Sequence, residues 1–277
     1  MKLLAAEQRG INKITNYSLV ASPLPYPQGR GRGMGTLKNK TMERHFEMEL
    51  EKLKKRILKM GNLVLEQVHN SLEALLTCDN DLAQKVIDSD NKVDKLDVKI
   101  DKLCQRIFAL TQPVATDLRL IMSALKMNND LERLGDLAVS ISSKIEGISE
   151  HQEILAELHV DELANMADLI VKDVITILNT RNVAFVKDIF TSASAIEEKV
   201  QAVSGRILDE MMHKTEVIVV ATNLLIILTQ IDRIAGYSTN IAESVVFIVE
   251  GRMIKHKNPY KNDSGAFENR EEENAEA

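Results

Sequence analysis

One short motif occurs twice in the sequence: Leu131-Glu132-Arg133-Leu134 returns 100 residues later as Ile231-Asp232-Arg233-Ile234. Upstream of it, the apolar residues of the two halves coincide at an offset of 103, as Leu75 does with Leu178. Self-similarity at a fixed offset indicates two copies of one structural unit. The change from 103 to 100 predicts that the second copy is three residues shorter in the connection before its last helix.

Within each copy the apolar residues advance by threes and fours, which is the spacing of one face of an α-helix. In the first copy this spacing predicts helices over about 42–78, 82–110 and 115–145, with Asp79 among the N-caps of the second. No proline occurs over 116–257, as expected of a segment that is almost entirely helical. We therefore predict an all-α fold of two tandem three-helix bundles, six helices in all, related by pseudo-repeat symmetry.

The net charge of −6 is unevenly distributed along the 277 residues. Residues 1–41 carry +6, lack an apolar period and are rich in proline and glycine, so we predict a disordered leader. Residues 258–277 carry −4 and are predicted to form a disordered acidic tail. The predicted bundles, residues 42–150 and 151–257, are left with −8, which argues against a nucleic-acid interface.

Cysteine usage and the apolar runs indicate the compartment. Cys78 and Cys104 form no C-x-x-C pair, so neither a zinc knot nor a disulfide is indicated, and a reducing cytoplasm fits. The longest apolar run, 217–231, contains four polar residues and is shorter than the roughly 20 residues that a membrane span needs. We predict a cytoplasmic protein in which this run is a buried helix.

Acidic side chains interrupt the apolar faces of the second and third predicted helices. Asp90 occupies a stripe position, Asp94 and Asp97 follow along the same edge, and Glu132 and Asp136 stack one turn apart. Partly buried carboxylates are costly unless they are paired or coordinated. Two such pairs on facing helices would supply hard oxygens, which suit Mg²⁺, Mn²⁺, Ca²⁺ or iron better than zinc or copper.

The same acids could instead form a solvated helix face that nearby cations neutralise. The candidate cations on these two helices are Lys92, Lys95, Lys99 and Arg133. Spacing alone leaves both interpretations open.

Four motifs resemble those of the PhoU family of phosphate-uptake regulators. The likeness follows the family order over about residues 42–257 and includes the repeat. The motifs are Met42-Glu43-Arg44-His45-Phe46, Gln112-Pro113-Val114-Ala115-Thr116-Asp117-Leu118-Arg119, Asp130-Leu131-Glu132-Arg133-Leu134-Gly135-Asp136 and Ser238-Thr239-Asn240-Ile241-Ala242-Glu243.

The resemblance implies a cytoplasmic helical protein that acts with the ATPase subunit of the phosphate ABC transporter. It also implies that the protein restrains the phosphate-sensing histidine kinase when phosphate is plentiful, forms a homodimer and reaches the membrane only through its partners. Family members hold metal ions, some of them as multinuclear iron clusters, through a Glu or Asp, three residues and an Asp on two helices of each bundle. The first copy matches this pattern at Asp90, Asp94, Glu132 and Asp136, so iron, manganese, magnesium or zinc is expected there.

The second copy departs from the family pattern. Ala193 stands at the position of Asp90, and Gly236 stands where an Asp should follow Asp232. We therefore predict that a second metal site is weak or absent. The weaker candidate ligands are Asp97, Glu197, Asp232, Asn240 and Glu243.

Two arginines also match the family motifs. We expect Arg119 and Arg133 to form salt bridges that orient Asp117 or Glu132, rather than to contact phosphate or a protein partner.

Two other classes of protein stay open. A ferritin-like metal-carboxylate protein would use E-x-x-H pairs, which occur at Glu66 to His69 and at Glu210 to His213, although these are not repeat equivalents. A metal-free helical scaffold is the other alternative. Because no nucleophile stands beside a base, we predict no catalytic residues and no enzyme activity.

Overall fold

The computed structural model describes residues 36–111 and 113–254, with side chains from Arg44 onward. Every regular element in these ranges is helical. The predicted leader up to Gly35 and the predicted acidic tail lie outside the described residues. The helices are α1 (Thr36–Thr77), α2 (Asn80–Ser89), α3 (Asn91–Leu110), α4 (Ala115–Ser142), α5 (Gln152–Glu157), α6 (Val160–Thr180), α7 (Val186–His213) and α8 (Ile218–Glu250), with short 3₁₀ turns at Ser149–His151, Val183–Phe185 and Thr215–Val217.

The helices form two three-helix bundles, which confirms the predicted fold class. The first bundle contains α1, the α2–α3 pair and α4, and the second contains α6, α7 and α8. Side chains of α1 bind α3, since Arg56 donates to the carbonyl of Lys99 at 2.6 Å and Arg106 pairs with Glu49 at the same distance. α4 and α8 pack along each other, so the buried apolar residues of both bundles make one continuous core.

The boundaries of the first two helices refine the predicted ones. α1 begins at Thr36, ahead of the predicted start at Met42, so the end of the predicted leader is helical. Asp79 caps α2 by accepting a hydrogen bond from the backbone N–H of Leu82 at 2.9 Å, which confirms its role as N-cap.

The second predicted helix is divided at Asp90 into α2 and α3. The N–H of Asp90 donates to the carbonyl of Ile87 at 3.3 Å, and the N–H of Val93 donates to the carbonyl of Asp90 at 2.8 Å. These bonds span three residues instead of four, so the chain tightens locally like a 3₁₀ turn. The corresponding helix of the second bundle, α7, runs through Ala193 without a break.

The predicted shortening of the second copy is present. Four residues, 111–114, separate α3 from α4. In the second bundle only Lys214 separates α7 from the 3₁₀ turn at Thr215–Val217, which stands in the register of the first turn of α4. The copies thus differ by three residues in this connection, as predicted.

α8 is the helix that contains the long apolar run. By length and composition alone the segment Thr215–Glu250 passes the test for a membrane span, since an 18-residue window within it has a mean hydropathy of 1.8. The helix lies against α4, α6 and α7, with apolar side chains such as Leu224, Ile227 and Ile231 fully buried. One face of the predicted buried helix therefore lies in the core, whereas 39% of its apolar window is buried in all and Ile218 and Val219 are exposed.

Candidate functional site

The break at Asp90 lies against a glycine of the neighbouring helix. A Cβ atom at Gly135 of α4 would lie 3.4 Å from Oδ1 of Asp90 and 3.1 Å from Oε1 of Gln67. Gln67 belongs to α1, and its Nε2 donates to Oδ1 of Asp90 at 3.2 Å. The absence of a side chain at Gly135 therefore lets groups from α1 and from the α2–α3 junction approach the backbone of α4.

The four predicted metal ligands influence one another electrostatically along the facing edges of α3 and α4. Burial raises the pKa of Asp90, the hydrogen bond from Gln67 lowers it, and the charges of Asp94 and Asp136 raise it again. Burial also raises the pKa of Glu132, and the charge of Asp136 adds to the increase. The charges of the four residues thus act on one another, and their mutual repulsion favours any cation that enters.

Few basic side chains neutralise the acids along the facing edges of α3 and α4. Arg133 lies with Nη1 3.1 Å from Oδ2 of Asp136 and with Nε 3.6 Å from Oε2 of Glu132. Within the ranges that the structure describes, no ion pair joins the three candidate lysines, Lys92, Lys95 and Lys99, to these carboxylates. Of the cations that the solvated-face interpretation requires, Arg133 is therefore in place and the three lysines are not.

Asp97, a weaker candidate ligand, lies further along α3 and is hydrogen-bonded by Asn128 of α4. Nδ2 of the buried Asn128 donates to Oδ1 of Asp97 at 2.6 Å and to Oδ1 of Asp101 at 3.1 Å. Burial raises the pKa of Asp97, and the charges of Asp101 and Asp94 raise it further. Asn128 was not among the predicted site residues, although a polar residue between the stripe positions Met127 and Leu131 could have marked it.

The candidate ligand atoms suit a hard cation, but they do not form a preformed coordination site. All of them are oxygens, which Mg²⁺, Mn²⁺ and Fe²⁺ accept and which are a poorer match for zinc. Among the described residues, no three Asp, Glu, His or Cys side chains are already arranged to hold an ion. The carboxylates of this edge would have to rotate toward a common point, as flexible acidic side chains on facing helices can.

The weaker candidates of the second copy meet in an open cleft of about 1160 Å³ between α4, α7 and α8. Glu197, Asp232, Asn240 and Glu243 line it, together with Asp136 from the first copy. Burial raises the pKa of Asp232, the charge of Glu197 raises it further, and Arg233 lowers it.

The missing acids of the second copy would also have faced this cleft. Ala193 and Gly236 both line it, and a Cβ atom at Gly236 would have no neighbour within 4 Å. Packing therefore does not require a glycine at this position.

Asp130 is a site residue that the sequence did not reveal. Its side chain is 4% exposed where α4 meets α8, and its Oδ2 has no hydrogen-bond partner among the described residues. Burial raises the pKa of Asp130 to about 6, although Lys126 lowers it, and Glu243 contributes to the increase. Nζ of Lys126 lies 3.4 Å from Oε2 of Glu243, so this lysine is shared between two acids.

The predicted salt bridge to Asp117 or Glu132 is present for Arg133 and absent for Arg119 among the described residues. In the part of the chain that the structure describes, Arg119 forms no ion pair with Asp117 or Glu132. Its guanidinium lies about 3.6 Å from the Cβ position of Gly251, the residue that ends α8 with φ of 72°. A cation beside the carboxyl end of a helix is stabilised by the helix dipole.

The two E-x-x-H pairs do not converge. His69 on α1 contacts Asp168 of α6 at 3.2 Å and lies 3.8 Å from Glu73. His213 ends α7, and its Nδ1 lies 2.8 Å from the carbonyl of Asp209. Because both histidines contact other groups at different places, these pairs do not build a ferritin-like centre.

A protein with this fold and these acids is a tandem three-helix-bundle protein with carboxylates along the helices of one bundle. The chain belongs to the PhoU family, since the PhoU domain matches residues 57–145 and 160–245, one match in each bundle. This agrees with the resemblance found in the motifs.

Relatives and solved structures support the assignment. The phosphate-specific transport system accessory proteins PhoU of Serratia marcescens and Escherichia coli are each 30% identical over 79% of this chain and 90% of their own length. The crystal structure of PhoU from Pseudomonas aeruginosa matches 75% of this chain and all of its own, with a TM-score of 0.70 and 28% identity. That of the regulatory protein PhoU from Streptococcus pneumoniae has a TM-score of 0.68 and 27% identity over 76% of this chain.

Proposed function

We propose that the protein is an accessory protein of phosphate-specific transport that acts with the ATPase subunit of the phosphate ABC transporter. We further propose that it restrains the phosphate-sensing histidine kinase when phosphate is plentiful, and that it does so as a cytoplasmic homodimer without enzyme activity. The support is that the PhoU domain matches both bundles of this chain, and that relatives similar over 90% of their length are named accessory proteins of this transport system.

Asp90, Asp94, Glu132 and Asp136 are the proposed ligands of a divalent hard cation. The observation that carries this proposal is that these carboxylates repel one another across α3 and α4 while Arg133 alone pairs with any of them among the described residues. A bound cation would supply the missing positive charge. Asp90 and Asp94 would then be drawn toward Glu132 and Asp136, which fixes the relative position of the two helices and the surface that they present to a partner.

The second copy is proposed to bind a cation weakly or not at all. Glu197 and Asp232 are its main acids, and Arg233 and Lys126 already supply positive charge to Asp232 and Glu243. Asp97 beside the first set, and Asn240 and Glu243 in the cleft, could contribute only outer ligands.

A binding experiment tests the proposal. The protein is immobilised and offered the transporter ATPase subunit and the sensor kinase, with Mn²⁺ or with a chelator. We expect both partners to be retained, and more strongly with Mn²⁺. The variant with Glu132→Gln and Asp136→Asn should lose the Mn²⁺ effect, whereas Glu198→Gln, an exposed acid on α7, should behave as the parent.

The outcomes separate the parts of the proposal. Retention of neither partner would contradict the accessory function. Retention that is equal with Mn²⁺ and with chelator would show that the cation plays no part in partner binding. Metal analysis of the parent purified without chelator then distinguishes a structural ion from a metal-free helical scaffold, the alternative that the lack of a preformed coordination site favours.

A further inference from the structure

Gln67 is a buried polar side chain that contacts Asp90, one of the proposed cation ligands. It lies on α1 and is 4% exposed, between the fully buried Val64 and Val68. Its Nε2 donates to Oδ1 of Asp90 at 3.2 Å and to Oγ of Ser89 at 3.3 Å. Its Oε1 is buried and has no hydrogen-bond partner among the described residues.

An amide oxygen in this situation is unfavourable for the fold alone. A buried acceptor without a donor loses its hydrogen bonds to water and gains none in the fold, and an apolar side chain at this position would avoid that cost. Oε1 points at the open side of Gly135, where a Cβ atom would lie only 3.1 Å away. The same Cβ position lies 3.4 Å from Oδ1 of Asp90, so the unpartnered oxygen lies beside a carboxylate of the proposed site.

The second bundle provides an internal comparison. At the offset of 103, Gln67 corresponds to Ile170, which is 1% exposed, and at the offset of 100 Gly135 corresponds to the buried Ala235. The second copy therefore lacks the amide and the glycine as well as the two carboxylates that Ala193 and Gly236 replace. The four features occur together in one copy and are absent together from the other, as expected if they serve one site.

We propose that Gln67 belongs to the cation site of the first bundle, with Nε2 orienting Asp90 and Oε1 acting as a further oxygen ligand. The proposal rests on the proposed cation site at Asp90, Asp94, Glu132 and Asp136. It makes α1 the third helix of that site, beside α3 and α4. An ion bound there joins all three helices of the first bundle, and Oε1 gains the positive partner that it lacks.

The test compares three variants with Mn²⁺ as the probe. Gln67→Leu keeps the size and removes both polar atoms, and Gln67→Glu keeps an oxygen and adds a charge. Gln84→Leu is the matched control, because Gln84 is exposed on α2 and donates to Asp88 at 2.8 Å, outside the site. Affinity is measured by titration calorimetry, the number of bound ions by electron paramagnetic resonance, and Tm with and without Mn²⁺.

We expect Gln67→Leu to weaken Mn²⁺ binding by about tenfold or more, the range found for residues that support metal ligands. Gln67→Glu should lower Tm without metal, because it adds a fifth acid, and should show a larger rise in Tm on adding Mn²⁺ than the parent. Gln84→Leu should bind Mn²⁺ as the parent does.

Two results would overturn the inference, and they are distinguishable. If the parent binds no Mn²⁺, the cation site itself is wrong. If the parent binds Mn²⁺ and both Gln67 variants bind it with the parent's affinity, the cation site stands and Gln67 is a packing residue. Should Gln67→Leu fail to fold, the Gln67→Glu comparison alone decides, since a packing role predicts a lower Tm without an enlarged response to Mn²⁺.

Discussion

The two bundles share one architecture and differ at one edge. The first bundle places two acids on the α2–α3 arm and two on α4, and α2–α3 is broken at Asp90. The second bundle keeps Glu197 and Asp232, and α7 runs unbroken past Ala193. The fold therefore depends on the buried stripes that both copies share, while the edge is free to gain or lose charge. The additional acids and the helix break at Asp90 both lie in the first bundle, where we propose the cation site.

The largest expected effect tests what the bundles share. Leu131 and Ile231 stand at equivalent positions and are fully buried, so changing either one to Ala should lower the free energy of unfolding by about 2–5 kcal/mol. Urea denaturation measures the loss. The exposed Val219→Ala serves as control. A large loss for Leu131 with a negligible one for Ile231 would show that the second copy contributes little to the common core.

A smaller effect is expected at Asp130, whose counterpart in the second copy is the uncharged Gln230. The pKa of about 6 in the fold exceeds the value of roughly 3.9 for an unfolded aspartate. The fold therefore binds the proton more tightly, and the unfavourable contribution of Asp130 is absent below about pH 4, grows between about pH 4 and pH 6 and is fully present above that. Asp130→Asn should be more stable than the parent by about 2 kcal/mol near pH 7.5 and equally stable near pH 4.

Unfolding free energies across this pH range provide the measurement for Asp130. Gln230→Ala is the control and should show the same pH dependence as the parent. A parallel pH profile for Asp130→Asn and the parent would mean that Asp130 titrates normally.

The smallest expected effect on stability comes from restoring the second edge. Ala193→Asp combined with Gly236→Asp recreates the family pattern beside Glu197 and Asp232, and the Gly236 position has room for a side chain. Without metal, the added like charges should cost about 0.5 kcal/mol. With Mn²⁺, the variant should bind one ion more than the parent.

The matched control for this restoration is the variant with Ala193→Asn and Gly236→Asn, which has nearly the same shape without the charge. Ion counting by electron paramagnetic resonance compares the two. Equal Mn²⁺ binding by the Asp and Asn variants would show that carboxylate number does not explain the difference between the bundles.

Much of the fold follows from local sequence. The apolar stripes predict the helices, Asp79 predicts the start of α2, and the change of offset predicts the shorter connection before α8. The break at Asp90 could not be predicted, because no proline or glycine stands there. It coincides with contacts of Asp90 with Gln67 and Gly135, which are 23 and 45 residues away along the chain.

The candidate site divides in the same way. Helical spacing marks acids that share a helix face whatever the tertiary structure. The resemblance to the PhoU family then singles out four of them, Asp90, Asp94, Glu132 and Asp136. Helix packing decides which other polar groups contact these acids. It brings Gln67 of α1 to Asp90 and Asn128 of α4 to Asp97. The same packing buries Asp130 between Lys126 and Glu243.

Two helical copies, their apolar cores and the unequal numbers of acids on their edges follow from the amino-acid sequence, since periodicity and composition are local properties. Helix packing sets where the helix breaks, which oxygen is left without a partner and which acid is buried between the bundles. Those features arise from contacts between helices that are distant in the chain. The burial of a side chain and the charges around it therefore cannot be predicted from the sequence of any one helix.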